Sequence, residues 1–257
     1  MSQHTRIARQ LMDASAHNKP VNPFGKTKHL TLADAYAIQN LLTAYKIEAG
    51  DTPIGKKVAF ANTASQKAQG LNEPAFATMF ASGFMDSAKP LSLATLPNAA
   101  IEAEITFLLK DDLHGPGITA AHVIQATEAV YASFEIISHQ FDGETCGYDK
   151  IASNICFGGL VLGSQGISPR SLNLRTLGIV LEKNGQVIDT ATGAAVLDNP
   201  AKSVAWLANA LAQHGRNLQK GDLILSGSAT TPHPIAAGDV FYAHFEHLGS
   251  VSVTFTE

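Results

Sequence analysis

Two glutamates stand two residues apart in the run Ile101-Glu-Ala-Glu-Ile-Thr-Phe107. On an extended strand such residues project from one face, with their roots about 6.6 Å apart at roughly 3.3 Å of rise per residue. Carboxylates that close repel each other, and a hard divalent cation that takes oxygen ligands, Mg²⁺ or Mn²⁺, would offset the repulsion. A solvated strand face carries the same pattern without an ion, so Glu102 and Glu104 alone decide nothing. Glu135 adds weight because it sits in the apolar stretch Ala132-Ser-Phe-Glu-Ile-Ile137, where an unpartnered carboxylate would be costly. A metal or a salt bridge would each satisfy it.

Lys57 is a fourth candidate, opening the apolar run Lys57-Val-Ala-Phe60. Gly50 to Lys57 fits G-x-x-x-x-G-K superficially, but a phosphate-binding loop follows a strand, opens a helix and places Ser or Thr where Lys57 stands. Nucleotide binding is therefore excluded. Of the histidines, His233 in Thr230-Thr-Pro-His-Pro234 stays open as a group titrating near neutrality. His244 and His247 fall on opposite faces of one strand and make a poor metal motif. Cys146 and Cys156 lack metal-ligand spacing, and there is no Gly-x-Ser-x-Gly elbow.

The elements that must position these groups are legible in part. Ile7, Leu11 and Met12 fall at helical spacing over residues 5 to 16. A stronger helix starts at Thr31, whose hydroxyl can cap it, with Asp34 in its first turn and Ile38, Leu41, Leu42 and Tyr45 as its stripe, ending at Gly50. Lys57 to Phe60 reads as a strand, 61 to 98 as loops and short helical turns, and 101 to 107 as a half-buried strand. A helix follows over about 119 to 129, then a strand at 134 to 137. Asn184-Gly185 signals a hairpin. Asn199-Pro200 opens a helix with Val204, Leu207, Ala208 and Leu211 inward and Gly215 as its stop. Strands at 223 to 225, 240 to 245 and 251 to 255 close the chain. The expected fold class is α+β: one catalytic unit over 1-257, with 1-60 mainly helical and packed on a mixed, largely β core over 61-257.

Composition bounds the partners. With 45% hydrophobic and 16% charged residues, 257 residues are enough for one large core or two small ones. A formal net charge of −4, with the 18 Lys and Arg scattered, leaves no basic field for nucleic acid. Residues 1 to 20 carry charges among their apolar positions and no later run is long enough to span a bilayer, so no membrane partner is expected and the cytoplasm is the expected compartment.

The assembled residues resemble the hydratase and decarboxylase branch of the fumarylacetoacetate hydrolase superfamily over nearly the whole chain. Thr31-Leu-Ala-Asp-Ala-Tyr-Ala-Ile-Gln39 is similar to its N-terminal helix. Gly55-Lys-Lys-Val58, followed by Gln66, Gly70 and Glu73-Pro74, is similar to its active-site lysine segment. Ile101-Glu-Ala-Glu-Ile105 and Phe134-Glu-Ile136 resemble its metal-ligand strands, and Gly115-Pro-Gly117, Asn154, Gly158-Gly159, Ser226-Gly227 and Leu248 to Val253 resemble later segments. The resemblance implies a C-terminal-type core of that superfamily, Mg²⁺ or Mn²⁺ on Glu102, Glu104 and Glu135, Lys57 acting on substrate, and Asn154, Ser226 and Gly227 binding substrate. It implies a lyase that hydrates a 2-hydroxy-2,4-dienoate, the 2-oxo-4-pentenoate type of small 2-oxo acid met in aromatic catabolism, and a homo-oligomer.

The alternatives are a decarboxylase of a 2-oxo-dioate, a carbon–carbon hydrolase, and a weakly active metal- and ligand-binding subunit beside a partner enzyme of the same pathway. Several polar positions of the resemblance are changed. Ala61 replaces a threonine, Ala81-Ser-Gly83 lacks an acid, Ala99-Ala100 replaces an arginine, and Ile155-Cys-Phe157 fills a serine-rich turn. The segment after Ser226-Gly227 approaches the active site in the family, which makes His233 a catalytic candidate for the missing proton transfer.

Overall fold

The computed structural model describes residues 1–257. Helices α1 (Gln3–His17) and α2 (Leu32–Glu48) form the N-terminal layer. Thr31 caps α2 in a full capping box with Asp34, and Ile38 and Leu42 are buried while Leu41 and Tyr45 are half-buried. Strand β1 (Pro53–Ala59) follows, then α3 (Thr63–Ala68), β2 (Ala75–Phe80), β3 (Phe84–Met85), β4 (Leu91–Ser92) and β5 (Ala100–Leu109). Next come α4 (Ala120–Ala126), β6 (Thr127–Ile137), α5 (Gly147–Ala152) and β7 (Phe157–Leu162). The hairpin β8 (Gly178–Lys183) and β9 (Gln186–Thr192) precedes α6 (Pro200–Ala212), and β10 (Leu223–Leu225), β11 (His233–Pro234), β12 (Val240–Phe245) and β13 (Gly249–Thr256) complete the chain.

One mixed sheet has the order β2-β1-β10-β5-β6-β7-β3, with β11 added against β5; a second has the order β4-β13-β12-β8-β9. The main core of 37 buried residues lies between them and under α6, taking Ile101, Ala103, Ile105 and Phe107 from one face of β5. A second core of 17 residues joins α1 and α2 to α5 and the outer side of β2. On the opposite face of the first sheet, Met79 of β2, Leu160 of β7 and Leu225 of β10 share a small cluster. Strands near opposite ends of the order can meet only if the sheet curls, and the curl encloses the face that carries Glu102 and Glu104.

Three boundaries differ from the sequence reading. The fully buried strand β2 lies inside the 61–98 segment expected to be loops: all six of its residues are buried, so the period-two alternation that reveals a half-buried strand is missing. Strand β6 begins at Thr127, so the helix expected to reach 129 ends at Ala126. The helical N-terminal part stops at Glu48, and residues 53–59 already belong to the main sheet, paired to both β2 and β10. The Asn184-Gly185 hairpin forms with both residues at positive φ, and Asn199 caps α6 with Pro200 in its first turn.

Candidate metal and catalytic site

Register places the acids. Glu102 stands directly across from Glu135 in the antiparallel β5–β6 pair, and Glu104 across from Ser133. Facing residues of such a pair lie about 4.5–5.5 Å apart at Cβ, so the third carboxylate joins the two on β5 without any loop excursion. One oxygen from each of Glu102, Glu104 and Glu135 falls within 4.8 Å of the others. Glu104 and Glu135 are each 1% exposed, and Glu104 Oε1 and Glu135 Oε2 are buried with no hydrogen-bond partner.

Lys57 is also 1% exposed and belongs to the same group. Its Nζ donates to Glu135 Oε1 in an ion pair and to the Ile155 carbonyl at 3.3 Å. β10 lies between β1 and β5 but is only three residues long. Beyond Leu225 the chain turns at Ser226-Gly227, and the Gly227 N–H donates to Glu104 Oε2 at 2.8 Å. Gly227 sits at φ +109, and a Cβ there would come within 2.6 Å of the Ala61 Cβ, so this approach requires glycine.

The Ile155 carbonyl is aimed by an unusual turn. Asn154, Ile155 and Cys156 all have φ between 51 and 59°, three successive left-handed residues. For a β-branched residue that conformation is strained, by on the order of 1–3 kcal/mol. Asn154 anchors it: its side chain donates to the Thr78 carbonyl at 2.8 Å and accepts from the Thr78 N–H at 3.0 Å.

Burial in a field of one sign sets the protonation. Burial, then Glu135, raise the Glu102 carboxyl to about 7. Burial, Glu135 and Glu102 push Glu104 well above the usual carboxylate range. Burial raises Glu135 as well, against the opposing pull of Lys57. Burial works against a charge on Lys57, but Glu135, Glu102 and Glu104 together hold its pKa above the ordinary lysine value. The group is thus a cluster of acids short of positive charge around one ammonium.

A cavity of about 300 Å³ opens onto Lys57, Glu102 and Glu104, with Glu135 sheltered behind them. Ile137 and Cys156 contribute to its wall, and Thr230 and Thr231 to the side nearest the β10–β11 connection. This volume suits a small organic acid.

The other candidates from the sequence are placed differently. Asn154 does not line the cavity, because its amide is spent on Thr78. Ser226 is fully buried and does not line the cavity; its carbonyl accepts from Ser203 Oγ at 2.5 Å and its own hydroxyl has no partner. Gly227 enters the site through its N–H to Glu104.

His233 pairs along β5 at Ile101, and its Nε2 lies 3.0 Å from Asp189 Oδ2 and 3.3 Å from Thr231 Oγ1. Thr231 and Pro232 line the cavity whereas His233 does not. The side chain expected to supply a proton is engaged instead by a carboxylate 44 residues away in sequence. His233→Gln is expected to keep turnover within about twofold of wild type and to leave the pH–rate profile unchanged, since His233 does not line the cavity and its Nε2 is engaged with Asp189. Lys150, His139 and Gln69, which the sequence did not single out, do line the cavity. Their elements, α5 and the ends of β6 and α3, are too short or irregular to carry a periodic signal.

Residues 43–256 match the family model described as fumarylacetoacetate (FAA) hydrolase C-terminal. The chain is 34% identical over 255 residues to a 2-keto-4-pentenoate hydratase of Paraburkholderia xenovorans (strain LB400), covering 98% of this chain and 95% of that protein. It is 33% identical over 260 residues to a 2-oxo-hept-4-ene-1,7-dioate hydratase of Escherichia coli, covering 98% and 97%. A solved structure of 4-oxalocrotonate decarboxylase from Pseudomonas putida G7, complexed with magnesium and adipate, superposes with a TM-score of 0.94 at 30% identity, covering 98% of this chain and 97% of that one.

Proposed function

The chain belongs to the fumarylacetoacetate hydrolase family, and from that premise we propose that it is a metal-dependent hydratase of a 2-hydroxy-2,4-dienoate of the 2-oxo-4-pentenoate type. The observation that carries the reading is the convergence of three carboxylates and one buried ammonium at the cavity floor. The relatives named as hydratases, at 33 and 34% identity over 98% of the chain, support the reaction class.

The residues fit a divalent cation. Two carboxylate oxygens are buried without a partner, all three ligands are hard oxygens, and the cluster carries more negative charge than Lys57 can balance. Glu102, Glu104 and Glu135 would hold it. A bound Mg²⁺ or Mn²⁺ supplies a Lewis acid for the carboxylate and 2-oxygen of such a substrate and offsets the field of the acids. The Gly227 N–H fixes one oxygen of Glu104, leaving Oε1 for the ion.

Hydration of a dienoate delivers a proton to carbon and a hydroxyl to a neighbouring carbon of the chain. Lys57 would handle the proton: its Nζ donates to Glu135 and to the Ile155 carbonyl, and the residue lines the cavity, which supports that role. The apolar Ile137 and Ile155 restrict water around the reacting chain.

A decarboxylase of a 2-oxo-dioate is the second reading, favoured by the decarboxylase structure at TM-score 0.94. A homo-oligomer and a cytoplasmic location complete the proposal on the family likeness alone. The test is to supply 2-hydroxypenta-2,4-dienoate with Mg²⁺ and follow loss of diene absorbance and formation of a 4-hydroxy-2-oxo acid. Turnover that EDTA abolishes supports hydration. Release of CO₂ from a 2-oxo-hexenedioate, without water addition to either acid, would transfer the assignment to the decarboxylase.

A further inference from the structure

A second cavity, of about 220 Å³, lies on the far side of one wall of the catalytic one. The Asn154–Cys156 turn separates them: Ile155 and Cys156 line the catalytic cavity, while Ser153 and Asn154 line the other. The segment after β6 divides in the same way, with His139 on the catalytic side and Ser138 and Gln140 on the far side. Leu11 and Ser15 of α1 and Leu42 and Lys46 of α2 complete much of the second lining. The proposed hydration uses none of these groups.

Lys46 is the one charged side chain in that lining, and it forms no ion pair. Its Nζ stands 5.0 Å from the centroid of the Phe80 ring, and burial holds the ammonium below the ordinary lysine range against the pull of Asp51. Asp51 is engaged elsewhere: Oδ1 accepts from the Thr52 and Ser82 N–H groups at 3.0 and 3.2 Å, and Oδ2 from Ser82 Oγ at 2.6 Å. Ser138 and Ser153 spend their hydroxyl protons on the Pro97 and Lys150 carbonyls. Ser15, Thr95 and Gln140 make no side-chain hydrogen bond within the protein, so their donors are uncommitted. A cation and uncommitted donors thus share a cavity whose lining carries no acid, together with the apolar side chains of Leu11, Leu42, Leu96 and Phe157.

We propose that this second cavity is a binding site for a small carboxylate with a short apolar tail, the carboxylate paired to Lys46 and the tail laid against the leucines and Phe157. A partly desolvated ammonium without a counter-ion gains a charge-assisted bond from such an anion. An anion without a tail leaves the apolar wall wet, and an amine of the same length meets a like charge. The site is separate from the three glutamates, and the inference stands independently of the reaction assigned to them.

Calorimetry with hexanoate on the Mg²⁺-loaded protein tests this, with a parallel titration in EDTA, where the uncompensated catalytic acids repel an anion. One saturable equivalent common to both conditions is expected. Lys46→Met should weaken it at least about tenfold, and Lys46→Arg should keep it within about threefold. Ser15→Trp, at an exposed position of α1 in the lining, should obstruct the cavity and weaken binding as much. Acetate should bind at least about tenfold more weakly than hexanoate, since each buried methylene is worth about fourfold in affinity, and hexylamine should not bind. No saturable binding of hexanoate at millimolar concentration, or a site indifferent to both Lys46→Met and Ser15→Trp, would overturn the proposal. Acetate or inorganic phosphate binding as tightly as hexanoate would do the same, as would binding seen only with Mg²⁺, which would put the anion on the catalytic metal.

Discussion

Mg²⁺ or Mn²⁺ at about a hundred times its Kd is expected to raise the melting temperature of this protein by roughly 6–10 °C. A ligand bound only to the folded state adds about 2.7 kcal/mol at that ratio, and a domain of this size gains about 2–4 °C per kcal/mol. The structural cause is specific: two orphaned carboxylate oxygens and three acids in mutual contact, balanced by one lysine. Glu104→Gln removes one of the charges. It should lose most of the metal response, yet without metal at pH 8 it should melt no lower than wild type, because the amide carries no charge for burial and the neighbouring acids to penalise and its oxygen can still accept from the Gly227 N–H. Differential scanning fluorimetry with and without EDTA reads both effects. Equal metal responses in wild type and Glu104→Gln would remove Glu104 from the ligand set.

The same cluster fixes the sign of the pH dependence. Glu102 in the folded, metal-free protein is raised to about 7 from an ordinary 4.5, and Glu104 is raised further by burial and its two acidic neighbours. Between those values the folded state holds protons that the unfolded chain has released. Stability from these groups is full below the unfolded pKa and is lost as pH rises through the folded one. For Glu102, which keeps partial contact with solvent, this amounts to about 2 kcal/mol after discounting the full shift for screening. Metal binding must displace those protons, so affinity rises with pH through 7. The increase in melting temperature on adding Mg²⁺ should therefore be larger at pH 8 than at pH 6.

What the sequence disclosed followed local periodicity. Glu102 and Glu104 were visible because an alternating strand states which residues share a face, and Glu135 because a carboxylate in an apolar run demands an explanation. Their register, Glu102 opposite Glu135, was not, since it depends on how β5 and β6 pair. Strand β2 stayed hidden because a segment covered on both faces has no alternation to read. The left-handed turn at Asn154–Cys156 contradicts the local preference of Ile155 and is held by bonds to Thr78, 76 residues away in sequence. The placement of His233 has a related cause: a remote carboxylate, Asp189, claims the histidine. The family resemblance supplied what periodicity could not, the grouping of Lys57 with three acids from other strands.

Lys57→Met should separate catalysis from metal binding. Loss of a positioned proton-transfer group costs about 10²–10⁴-fold in rate, so turnover of the dienoate should fall by at least the lower figure. Methionine fills nearly the same buried volume, which keeps the packing between β1 and the Asn154–Cys156 turn. Without metal the substitution leaves Glu135 with no cation, and breaking a buried pair from one side costs about 3–5 kcal/mol unless the acid takes up a proton. With metal the balance reverses. Removing an ammonium from beside three carboxylates strengthens their attraction for a divalent ion, so the variant should bind Mg²⁺ at least as tightly as wild type and show a larger thermal response to it. Calorimetry for Mg²⁺, melting with and without EDTA, and turnover on one preparation test all three points. A variant that lost metal binding and activity together would make Lys57 a structural support of the acid cluster. One that kept wild-type turnover would leave the lysine no part in proton transfer.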